Sequence, residues 1–217
     1  MRELAPGLLH WTARHPAWHP EGFGDEVGSF ALETDDALLL VDPLLTADDH
    51  VDELGALAGG RPVHVLITIG YHVRSAAALA QRLRAHVWGP PAAGRRLPGD
   101  APFTELEPGT EGPACATTYR IGRPVRGERP LWLPSHGAVA FGDSVVATAD
   151  GELRMWAQEH VDDRRRRFYR ERFAPTLTPI LDLPVRAVLV THGEPVTEGA
   201  ATALRGAVEA DPWYHAG

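Results

Sequence analysis

Residues 62–69 read Pro-Val-His-Val-Leu-Ile-Thr-Ile, a β-branched run without the alternation of a half-exposed strand. Such a run is buried on both faces, so it needs a packed layer on each side. Ala37 to Val41 and Ala187 to Val190 are strand-sized runs of the same apolar kind. Between the first two, Val51, Leu54 and Leu57 mark one helical face over residues 47–57, which Gly59-Gly60 ends. Residues 74–85 are rich in Ala and Leu, with arginines for an outer face, and a short strand follows at His86–Trp88. Strand, helix, strand, helix, strand predicts an α/β layered fold. A chain of 217 residues can bury such a core without covalent staples.

The remaining pattern is mostly short strands. Gly7–Ala13 reads as a first strand, followed by a His-, Pro- and Gly-rich loop over 14–24 that carries His15, Trp18 and His19. Glu26–Glu33 and Ala37–Val41 flank Thr34-Asp35-Asp36 as a hairpin, and Asp42-Pro43 closes its second strand. Residues 89–112 read as surface connection. Strands are then expected at 114–121, 130–133, 138–141 and 145–148, with Pro134-Ser135-His136-Gly137 as a hairpin tip. Helices are expected over 162–177 and 196–208, and a buried strand over 187–190.

Composition removes whole classes of chemistry. One cysteine, Cys115, excludes an internal disulfide, a CxxC zinc knuckle and a thiol pair. There is no lysine, so a P-loop, a pyridoxal Schiff base and a lysine base are excluded. There is no asparagine either, hence no N-glycosylation and no Cys-His-Asn triad. Eleven histidines remain, with Asp, Glu, Ser, Tyr and Arg. A net charge of −8 argues against nucleic acid as a partner. The run Arg164–Arg167 after Asp162-Asp163 reads as a solvated helix face favoured by the dipole and by side-chain pairing. No apolar run is long enough to span a bilayer and no leader pattern is seen, so the expected setting is soluble and cytoplasmic, with no membrane partner.

Three polar residues directly follow apolar runs: Asp42 after Leu-Leu-Val, Asp143 after Val-Ala-Phe-Gly, and His192 after Val-Leu-Val-Thr. Strand ends of layered α/β folds gather ligands, because a rigid scaffold meets an open loop there. Other pairings weigh less. Ser135 and His136 are adjacent in a tip and are not expected to work as nucleophile and base; Asp150-Gly151-Glu152 reads as a turn.

In order, the hairpin, "LLLVDP", a helix, "VLIT", a helix, a second strand set with "AFGD" and finally "VLVTHGEPV" resemble the metallo-β-lactamase fold, from about Gly7 to Val208. The resemblance implies a single αβ/βα four-layer domain over 1–217, with two pseudo-symmetric halves at about 1–112 and 113–217. It implies a hydrolase of a small ester, thioester or lactone, using zinc or another divalent metal. Asp42 matches the strand-end Asp of the first motif, Asp143 the metal-bridging Asp, and His192 the last histidine ligand.

The chain departs from that pattern where the metal is usually held. The family has His-x-His-x-Asp-His after "VLIT"; here Ile69 and Tyr71 stand at the first two histidines, Val73 at the Asp and Arg74 at the last His. The next histidine falls near Arg123 or Pro124. Two readings follow. In one, Asp143 and His192 act catalytically and hold a single metal with His72, one residue out of register, while His15 and His19 reach the same rim. In the other, the site is metal-free and non-catalytic: Arg74 pairs with Asp143 in place of the metal charge, and Arg74 and Arg123, with Asp42 and Tyr71, line a pocket for a small anionic ligand or a protein partner.

Overall fold

The computed structural model describes residues 1–18, 23–46, 49–122 and 127–215. Its largest sheet has seven strands in sequence order: β1 (Arg2–Ala5), β2 (Leu8–Arg14), β3 (Glu26–Glu33), β4 (Leu38–Val41), β5 (Val63–Leu66), β6 (His86–Gly89) and β7 (Phe103–Glu105). The first four pair antiparallel, and β4 to β7 pair parallel through crossovers. A second sheet pairs β8 (Thr117–Thr118), β9 (Leu131–Leu133) and β10 (Ala138–Ala140); β11 (Val145–Ala147) and β12 (Leu153–Met155) form a separate ribbon, and β13 (Ala187–Leu189) joins the second sheet beside β10. The helices are α1 (Asp49–Ala58), α2 (Ala76–Leu83), α3 (Pro91–Gly94), α4 (Asp163–Phe168), α5 (Thr178–Leu181) and α6 (Ala200–Glu209).

Three apolar layers show how the strands came to need two covered faces. Leu38, Leu40, Val65 and Val87 point outward onto Leu54, Ala58 and Leu79 of α1 and α2. Their neighbours Leu39, Val41 and Leu66 point inward onto Leu131, Leu133, Ala140 and Leu189 of the second sheet. The outer face of that sheet, with Val139 and Val188, packs on Phe173, Ile180, Leu204 and Ala207. The order is helix, sheet, sheet, helix, as the unalternating runs require. Each fully buried Leu or Val contributes ~1.5–3 kcal/mol by leaving water, which is why these runs define the layers. Among the described residues no helix is long and apolar enough to cross a membrane.

Several expectations need correction. Residues 89–112 hold α3 and β7 as well as connection, because Val87–Gly89 offers β7 a parallel edge. The strand expected at 114–121 shrinks to β8: Ala114 and Cys115 take left-handed backbone (φ +50° and +59°), which no strand accommodates. The helix over 162–177 breaks after Phe168 into π and 3-10 turns, with Pro175 and Pro179 removing donors that a continuous α-helix needs. The closing helix starts at Ala200, since Val196 is drawn into a bridge with Val188. Arg2–Ala5 and Leu153–Met155 are strands that the pattern does not announce.

The His-Gly step after β13 is fixed by space. Gly193 has φ +82°, and a Cβ there would lie 2.2 Å from the Ala147 carbonyl oxygen. That backbone is itself tied to β11, with Ala147 N–H donating to His192 O at 2.9 Å. Gly193→Ala is therefore expected to destabilise the chain by at least ~2 kcal/mol in urea unfolding, through backbone strain and displacement of β11.

Candidate functional site

Asp42, Asp143 and the loop after β5 converge at one end of the facing sheets. Asp42 is buried and sits in left-handed backbone at φ +44°. Its Oδ1 accepts from Thr68 N–H at 2.9 Å, and its Oδ2 accepts from the Thr68 hydroxyl and lies 2.9 Å from His72 Nδ1. The far side of the same imidazole reaches Asp143: His72 Nε2 is 3.5 Å from Asp143 Oδ1. His192 Nε2 approaches that oxygen at 3.7 Å. Asp143 Oδ2 accepts from the Tyr71 hydroxyl. Asp143 Oδ1 is buried and has no hydrogen-bond partner among the described residues.

These contacts set the charges. Burial pushes the Asp143 carboxyl up, but His72, His192, the Tyr71 hydroxyl and Arg74 together hold it below the ordinary carboxylate range. His192 is shifted down to about 4, chiefly by burial, which outweighs the pull of Asp143. Its ring is neutral at pH 7, with Nδ1 buried and without a partner among the described residues. Tyr71 is pushed well above its ordinary value by burial of its hydroxyl and by the Asp143 charge, so it stays a donor.

Arg74 does not do what its place in the motif suggested. No ion pair joins it to Asp143 among the described residues; instead its Nη1 donates to Asp42 O at 2.6 Å and Gly28 O at 3.1 Å. Its backbone is left-handed too, at φ +35°, and its Nε is buried without a partner among the described residues. The guanidinium thus ties β3 to β4 and acts on Asp143 through space. Asp42 stands behind His72 and does not line the pocket. Tyr71, His72, Arg74, Asp143 and His192 do line it, with His15, Trp18 and Phe23, around a cavity of about 180 Å³. Burial, with the charges of Arg74 and His72, lowers His15. His19 and Arg123 lie outside the described residues. The Ser135 hydroxyl meets His136 Nδ1 at 2.9 Å on the exposed tip, away from this pocket.

Glu128 is the residue that pattern reasoning missed. It is buried, and its Oε1 accepts from Gly142 N–H (2.9 Å) and the Ser144 hydroxyl (2.6 Å), its Oε2 from Asp143 N–H (3.0 Å) and Ser144 N–H (2.8 Å). Consecutive N–H groups wrapped on one carboxylate fix the Asp143 backbone. Gly142 leaves room for this clamp: a Cβ there would come 2.8 Å from the Thr68 hydroxyl and 3.2 Å from the Glu128 carboxyl carbon. Burial pushes Glu128 up to about 7 against those donors. No periodicity marks such a residue; the one cue was a strand-end "GDS" whose N–H groups needed an acceptor.

Whether a metal fits can be judged from the donors. A four-coordinate ion with bonds of ~2.1 Å spaces its ligands by roughly 3.4 Å, and the gaps of 3.5 and 3.7 Å at Asp143 Oδ1 come close. However, Tyr71 occupies the second carboxylate oxygen and a guanidinium lines the same pocket. Among the described residues no group of three or more His, Cys, Asp or Glu side chains is disposed to hold a metal ion. The donor set as arranged does not fit the usual centre.

Two outcomes are expected. Glu128→Gln keeps the size but turns an amide N–H₂ toward N–H donors, and is expected to cost ~2–4 kcal/mol in urea unfolding, with upfield shifts of the 142 and 144 amide protons. His192 is depressed when folded, so its stabilising contribution is present above about pH 6.5 and is lost as pH falls toward 4. The wild type is expected to lose on the order of 2–3 kcal/mol more over that window than His192→Gln, read as urea midpoints against pH.

No protein-family model matches the sequence, and no curated protein matches it. Solved structures do. A metallo-β-lactamase from Erythrobacter litoralis, solved with β-mercaptoethanol in its active site, superposes with a TM-score of 0.63 at 17% identity, covering 96% of this chain and 95% of that one. The metallo-β-lactamase DIM-1, exposed to ceftazidime, gives 0.66 at 13% identity over 96% and 95%. A β-lactamase domain protein from Burkholderia ambifaria gives 0.62 at 16% identity, over 96% of this chain and 70% of that one. With the helix, sheet, sheet, helix order and these superpositions, the chain has the metallo-β-lactamase fold, and it carries Ile69, Tyr71, Val73 and Arg74 where the resemblance places the His-x-His-x-Asp-His residues.

Proposed function

We propose that the cleft of this hydrolase-like fold serves here as a metal-independent pocket for a small molecule with one anionic group. The carrying observation is Arg74. A guanidinium held by two backbone carbonyls, its buried Nε without a partner among the described residues, lines a pocket that Trp18 and Phe23 also line. A guanidinium at the pocket wall offers an anionic ligand oxygen a fixed positive charge and a planar set of donors. Trp18 and Phe23 give the ligand's apolar body a surface, as small-molecule sites generally require. Neutral His192 and the Tyr71 hydroxyl add polar contacts that orient it.

A second reading, a metal-dependent hydrolase of a small ester, thioester or lactone, is favoured by one observation. Asp143 Oδ1 is buried, without a hydrogen-bond partner among the described residues and faced by two imidazole Nε2 atoms, and a cation would satisfy all three. That reading requires His72, Asp143 and His192 to re-aim at one point.

Metal analysis of untagged protein together with thermal unfolding separates the two. The expected result is less than about a tenth of an equivalent of zinc, iron or manganese per chain. A small carboxylate such as benzoate at about ten times its Kd is expected to raise Tm by ~3–6 °C, and Arg74→Gln to abolish that shift. Stoichiometric metal that is lost in Asp143→Ala or His192→Ala would establish the hydrolase reading instead.

A further inference from the structure

The pocket wall formed by Phe23 is backed by the far end of the chain. Phe23 faces His192 with ring centroids 4.5 Å apart. Around the rest of its ring stand Trp213 at 5.3 Å, His215 at 5.4 Å and Trp156 at 6.2 Å, each near edge-on. Edge-to-face packing of this kind fixes a ring's orientation as well as its position. The tail that supplies two of these rings is fixed in turn. Trp213 N–H donates to Met155 O at 2.8 Å, and Ala157 N–H donates to Trp213 O at 2.8 Å, so Trp213 pairs with Trp156 as a parallel bridge beyond β12. Trp156 Nε1–H donates to His215 Nδ1 at 3.1 Å. On the loop side, Trp18 Nε1–H donates to Phe23 O at 2.8 Å, which anchors the backbone and leaves the ring to be placed by its neighbours.

We propose that Trp213 and His215 are positioning residues of the pocket: they hold Phe23 against His192 and so set how far the pocket opens. This rests on the pocket being the binding site, and it names what controls access to that site. The tail touches no ligand itself; its effect passes through one ring. Ser144 joins the same unit, because Trp156 N–H donates to Ser144 O at 3.0 Å while Ser144 is held by Glu128. The pocket floor and its Phe23 wall thereby share one frame, running from Glu128 through Ser144 and Trp156 to Trp213.

Site-resolved carbethoxylation tests this without knowledge of the ligand. The full chain is treated with diethylpyrocarbonate at pH 7, where neutral imidazoles react, and each histidine is followed by mass spectrometry. His192 is expected to react slowly in the wild type. Trp213→Ala is expected to speed it by about fivefold to tenfold, with His86 on β6 unchanged, and Trp213→Phe, which keeps an aromatic ring, to restore most of the protection. Phe23→Ala is expected to speed His192 at least as much. If Phe23→Ala exposes His192 and Trp213→Ala does not, the tail does not position the ring and the proposal is overturned. If Trp213→Ala also speeds the buried His10, the chain has loosened as a whole, and His215→Ala decides in the same way: a rate increase confined to His192 supports the proposal, and none overturns it. Failure of benzoate to bind would count against the ligand reading and would leave these rates as they are.

Discussion

Two carboxylates, Asp42 and Asp143, end strands of facing sheets and are drawn out of water on either side of one imidazole, His72. Burying a charge is costly unless donors replace the lost hydration. Asp42 is well supplied, by the Thr68 backbone and hydroxyl and by His72. Among the described residues Asp143 accepts a hydrogen bond on one oxygen only, from Tyr71. Much else at this end of the fold follows from that imbalance: Glu128 clamps the backbone that presents Asp143, Arg74 is held nearby by Gly28 and Asp42 carbonyls, and His192 turns its Nε2 to the orphaned oxygen. The left-handed backbone at Asp42 and Arg74 is strain concentrated at the same spot.

The departures from the metal motif are mutually consistent in chemical terms. Tyr71 and Arg74 stand where the resemblance places two histidines, and neither supplies an imidazole. Tyr71 donates to the carboxylate, while Arg74 brings a fixed cation to the pocket and braces two strands through their carbonyls. A guanidinium keeps its charge at any working pH and presents several donors in a planar fork, which suits recognition of a carboxylate or phosphate oxygen. The aromatic wall of Trp18 and Phe23 completes a pocket with one polar and one apolar side.

The layers were legible because their signal is redundant. Leu38–Val41 is apolar at every position and Val63–Leu66 at all but His64, so a shift of a residue or two does not hide them. Asp42, Asp143 and His192 were legible for a related reason, as single polar residues that end such runs. What pattern could not show was anything decided by tertiary contact. Glu128 sits in a polar stretch and is buried only because three N–H groups converge on it. Phe23 looked like part of a Gly-rich loop, and its role depends on rings at positions 156, 192, 213 and 215 that no local window contains. Arg74 was found by alignment to a motif, yet its partners proved to be backbone carbonyls, which sequence does not mark.

A crystal structure of the protein with benzoate, recorded with anomalous data above the zinc edge, tests the metal-independent pocket most directly. The expected result is a carboxylate within hydrogen-bond reach of the Arg74 guanidinium, its ring against Trp18 and Phe23, and no anomalous peak among His72, Asp143 and His192. A strong anomalous peak about 2 Å from all three side chains would contradict it.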